Sequence, residues 1–79
     1  MTDMRSIPGP IVEAMEVGIP AAKAFRVYSD TSIPELAEAT QLEAGRICMI
    51  EAGVSPTLSE ADAIGRALDM PTALLVEEF

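Results

Sequence analysis

A chain of 79 residues has room for one domain and one core, because so short a polypeptide buries only about 60% of the surface it exposes when unfolded. That argues against a catalytic cleft between domains, and the absence of histidine with a single cysteine, Cys48, excludes an internal disulfide, a cysteine-rich zinc site and a histidine-based triad. The net charge of −8, from 13 acidic and 5 basic residues, keeps a small protein in solution but repels a polyanion at long range, an objection that any nucleic-acid reading must answer.

Along the chain, Pro8, Gly9 and Pro10 set residues 1–10 apart as a flexible arm. Ile11, Val12 and Met15 then recur at helical spacing until Gly18, which predicts a short helix over 11–17. Pro20 fits the first turn of a second helix, where its missing N–H does no harm; Ala24, Phe25 and Tyr28 form its apolar stripe, and it ends near Ser29. Ser32 and Glu35, three places apart, make a capping box that opens a third helix over 33–40. Leu36 and Ala37 should face inward there, with Glu35 and Glu38 toward solvent.

A break at Gln41, Leu42 and Glu43 precedes a fourth helix over 44–51, with Ile47 and Ile50 on its inner side and Gly53 as its terminator. Thr57 and Glu60 repeat the capping box, and Ala61, Ile64, Ala67 and Leu68 share one face of a fifth helix running to Leu68. Pro71 starts a last short helix carrying Leu74, Leu75 and Val76, ahead of the acidic end Glu77, Glu78 and Phe79.

The hydrophobic fraction is 49% with aromatics at 4%, a mixture of Ala, Leu, Ile, Val and Met that suits close-packed helices more than strands. The fold class expected is therefore all-α, a compact bundle of five to six helices over residues 11–79. No apolar run approaches the roughly 20 residues that cross a bilayer, and residues 1–10 lack the apolar stretch of a signal peptide, so a cytoplasmic location without membrane contact is the expectation. With no nucleophile paired to a base, neither an enzyme nor a cofactor is expected.

The string S-I-P-E-L-A-E-A-T-Q-L-E-A-G-R-I-C-M-I-E-A-G, followed by P-T-L-S-E-A-D-A-I-G-R-A-L-D-M-P, resembles the Cro and phage-repressor family of helix-turn-helix domains, the lambda repressor-like fold. The likeness spans roughly residues 20–76, with the motif at 32–51. It rests on several features in register: Glu35-Leu36-Ala37, Ile47, Ile50-Glu51, Gly53, Pro56 and Ala67-Leu68. The resemblance implies that Arg26 in the preceding helix pairs with Glu51. It further implies that the helix 44–51 enters the major groove of double-stranded DNA, with Ile33 near the phosphates and Glu43, Ala44, Gly45, Arg46, Cys48 and Met49 toward the duplex.

Family members usually carry Gln near position 33, Gly at the turn, and polar or basic residues early in the recognition helix. This chain has Ile33, Gln41 and Glu43-Ala44-Gly45 instead. A left-handed Gln41 would cost roughly 1–2 kcal/mol. Arg46 is the one strong base-reading candidate, contacting guanine or phosphate, pairing with Glu43 one turn back, or simply solvated. Lys23 is a candidate phosphate contact, Arg66 a weaker one, and Arg5 in the arm a candidate for the minor groove. Met70, Leu74, Leu75, Val76 and Phe79 are expected to pack in part on the fifth helix and otherwise to offer an apolar surface for a homodimer or another partner. Two functions follow from the likeness: a sequence-specific DNA-binding regulator, a dimeric repressor of the phage or antitoxin kind, or an acidic protein-interaction module on the same fold that does not bind DNA.

Overall fold

Residues 7–76 are described in a computed structural model of the chain; the readings of Arg5 and Phe79 lie outside the described residues. Five α-helices and no strand occur among them: α1 Gly9–Glu16, α2 Ala21–Tyr28, α3 Ile33–Thr40, α4 Ala44–Glu51 and α5 Leu58–Leu68, closed by a 3₁₀ turn at Thr72–Leu74. The all-α expectation holds, and the bounds of α3 and α4 match those read from the sequence.

Two helices start where their side chains supply the hydrogen bonds that a helix end lacks. At α3, the Glu35 N–H donates to Ser32 Oγ (3.1 Å) and the Ser32 N–H to Glu35 Oε1 (2.8 Å). At α5, Glu60 and Thr57 repeat this pair of bonds at 3.1 and 2.8 Å. Helix α1 begins earlier than expected, because Pro10 in a first turn forfeits no hydrogen bond. Ile7, assigned to the arm, is instead buried in the core.

The core takes one fully buried side chain from each of four helices: Ile11, Leu36, Ile47 and Ile64. Phe25, Ala22 and Ala24 complete it from α2, which touches α1, α4 and α5, while α3 packs on α4 and α5. Tyr28, read as part of the inner stripe, is 54% exposed. Ala67 is exposed as well. The inner face of α5 is instead Ala61, Ile64, Gly65 and Leu68, since the chain returns directly over Gly65. A Cβ at that position would meet Thr72 Oγ1 at 3.0 Å and the Met70 carbonyl at 3.1 Å.

This return also sets how far the C-terminal apolar set packs. Met70 and Leu75 are buried in the core, and Leu74 and Val76 pack against it half-buried. The partial packing expected of this set is thus present, and Leu74 and Val76 keep part of their surface open. Among the described residues no helix is long and apolar enough to cross a membrane.

Candidate nucleic-acid interface

Three residues separate α3 from α4, and their conformation follows from Gln41. Its backbone is left-handed at φ 61°, ψ 25°, and the Leu42 N–H turns back to the Ala37 carbonyl at 3.2 Å. Thr40 strengthens the corner: its buried hydroxyl donates to the Leu36 carbonyl at 2.7 Å and accepts from the Leu42 N–H at 3.3 Å. Ile47 and Ile50 then drive one side of α4 into the core.

The far end of α4 is fastened by the pair that the resemblance implied. Arg26 Nε donates to Glu51 Oε2 at 2.6 Å and Nη2 to Oε1 at 3.1 Å, while Nη1 reaches the Thr31 carbonyl at 2.8 Å. The two side chains are only 13% and 7% exposed. Donating to Glu51 raises the Arg26 pKa above its ordinary value. One guanidinium thereby joins α2, the loop before α3 and the last residue of α4.

Outward from this frame stand Glu43, Ala44, Gly45, Cys48 and Met49, all exposed, with Ile33 half-buried at the start of α3. No side chain caps the first turn of α4, whose cap position is Glu43.

Arg46 does not pair with Glu43. It pairs with Glu60 on α5, Nε to Oε2 at 2.7 Å and Nη2 to Oε1 at 2.8 Å, and Nη2 also lies 3.4 Å from the Ser55 carbonyl. Neither Glu43 nor open solvent holds it. Glu60 consequently does two jobs, capping α5 and clamping α4. The Arg46 hydrogen bond first, and the Thr57 N–H second, lower its carboxyl to about 2 from an ordinary 4.5. Sequence reasoning had assigned Glu60 to the cap alone. The available signal was that a capping carboxylate retains an oxygen with unused acceptor capacity.

The other cations add little to the α4 face. Arg66 reaches Asp62 at 2.7 Å in a largely exposed pair, of a kind worth little energetically. Lys23, read as a phosphate contact, is exposed and lines a groove between α1 and α2. Among the described residues it is the one cation without a carboxylate partner. The candidate interface therefore consists of small, apolar and acidic groups on a rigidly held helix. Comparison of the chain with family models, with curated proteins and with solved structures returns no match in any of the three.

Proposed function

We propose that the chain is a sequence-specific DNA-binding regulator of the repressor type, offering α4 to the major groove of double-stranded DNA. The observation that carries this reading is the fastening of α4. Arg26 and Glu51 fix its end and the α3 corner fixes its start, while the residues at 43, 44, 45, 48 and 49 stay open. Ala44 and Gly45 are small enough for the backbone to come close to a phosphate, and an alanine methyl can touch a thymine methyl. With Arg46 held by Glu60, few phosphates are neutralised, so binding is weak for a single domain and falls as salt rises.

The test is an amide-shift titration of the isotope-labelled chain with the duplex upstream of its own gene, at low salt. Shifts gathered at Ile33 and residues 43–51 support the proposal; a spectrum unchanged through millimolar duplex overturns it.

A specific observation favours a second reading, that α4 meets a protein instead. Its outer face carries no cation free of a partner, and Met49 on it exposes apolar surface at 49%. A partner bound there would be lost on Met49→Asp and would be indifferent to duplex DNA.

A further inference from the structure

Exposed apolar side chains are unevenly spread over the molecule. Of seven large ones among the described residues, four belong to the hairpin of α1 and α2: Val17, Ile19, Val27 and Tyr28, at 78%, 37%, 59% and 54% exposure. Between those helices lies a groove of about 370 Å³ whose lining includes Ile11, Ala14, Ala24, Val27 and Tyr28, with Lys23 as its one charged group. The groove exists because Ala14 and Ala24 are too short to fill the space beside the helix contact. A concentrated apolar surface of this sort is uncommon on a protein that works alone.

The charges at its edges indicate what covers it. Helical spacing sets Glu13 one turn from Pro10, which lines the groove, and its exposed carboxylate makes no ion pair among the described residues. Lys23 borders the strip on the α2 side, also unpaired. An apolar strip with an anion along one edge and a cation along the other is complementary to itself: a twofold rotation sets each edge against the opposite edge of the other copy.

We propose that this face binds a second copy of the chain, the two α1–α2 hairpins packing about a twofold axis with Lys23 of each copy over Glu13 of the other. Arg26, the residue that binds the end of α4, does not itself line the groove, and the pairing does not depend on the DNA reading. Two molecules at −8 each repel. Added salt screens the repulsion between the two net charges more than it weakens the two Lys23–Glu13 pairs, so it strengthens the dimer, opposite to its effect on DNA affinity.

Sedimentation equilibrium of the full chain, without DNA, at concentrations up to about 1 mM and at low and high salt, tests this directly. The expected result is a monomer–dimer equilibrium with a Kd on the order of 100 μM that tightens with salt. Val27→Asp should weaken it at least about tenfold, with far-UV circular dichroism checking that the variant folds. Lys23→Glu and Glu13→Lys, both at exposed positions, should each weaken pairing several-fold, and the double swap should restore it. A chain that stays monomeric throughout, a dimer untouched by Val27→Asp in folded protein, or a double swap that recovers nothing each overturns the proposal.

Discussion

Replacing Glu51 by alanine should destabilise the protein by about 3 kcal/mol or more. The substitution removes both acceptors of Arg26 Nε and Nη2 and leaves only the Thr31 carbonyl bonded to the guanidinium. At 13% exposure the Arg26 side chain has little water to replace them. Removing one partner of a buried pair costs about 3–5 kcal/mol, because a charge stays behind uncompensated. Domains hold roughly 0.05–0.15 kcal/mol of stability per residue, or about 4–12 kcal/mol for a chain of this length. The loss is therefore a large share of the whole. At 4–8 °C per kcal/mol for a small domain, the Tm should drop by at least about 12 °C. Urea unfolding followed by circular dichroism measures the change, and a double replacement of Arg26 and Glu51 by methionine supplies the control. Apolar groups of similar volume leave no stranded charge, so the double variant should be more stable than Glu51→Ala. A single-variant loss below about 1 kcal/mol, or a double variant as unstable as the sum of the two single changes, would refute the reasoning.

Gln41→Gly should stabilise the fold by about 0.5–1 kcal/mol, because a φ of 61° strains glutamine and not glycine; the gain is reduced by loss of the Gln41 Nε2 bond to the Glu38 carbonyl. A denaturation midpoint that falls would contradict it. Gly65→Ala should destabilise by about 1–3 kcal/mol, since its Cβ would meet the Met70 carbonyl, a backbone atom, at 3.1 Å; an unchanged Tm would show that the closing turn is loose. The pH dependence follows from Glu60, whose folded-state carboxyl lies at about 2, below its ordinary 4.5. Its stabilising effect is complete above the ordinary value and lost as pH falls from there toward 2. Glu60→Gln should flatten that part of an acid-unfolding curve, leaving the smaller contribution of Glu35, which Ser32 also lowers. If DNA is the ligand, Glu60→Gln also frees Arg46, so duplex affinity should rise and its salt dependence should steepen by about one unit in filter-binding or anisotropy titrations.

Helices α3, α4 and α5 were legible because their ends are written in short-range chemistry. Ser32 with Glu35 and Thr57 with Glu60 satisfy N–H groups three residues away, and Gly53 adopts the φ of 113° that ends α4. The errors concern contacts distant in sequence. Arg46 finds Glu60 fourteen positions on, a partner fixed only by how α4 crosses α5. Ala67 looked like core and Gly65 did not, because periodicity weighs side-chain apolarity and cannot see that the chain folds back to pack on a bare Cα. Which members of the C-terminal apolar set would pack was not legible for the same reason, since the return of the 3₁₀ turn over α5 sets the burial of Met70 and Leu75. Arg26 with Glu51 was legible only through the likeness to repressors, as no local pattern links residues 25 positions apart.

Glu60 has one further consequence. Because a single carboxylate both starts α5 and tethers α4, unwinding the first turn of α5 also releases Arg46, and release of Arg46 leaves that turn with a charge stripped of its counterpart. The stretch from residue 44 to residue 68 is thus built to come apart as a unit, not by fraying of separate ends. In deuterated solvent, the buried amides of Ile47 and Ile64 should lose their protons at a common rate, and in Glu60→Gln those two rates should separate.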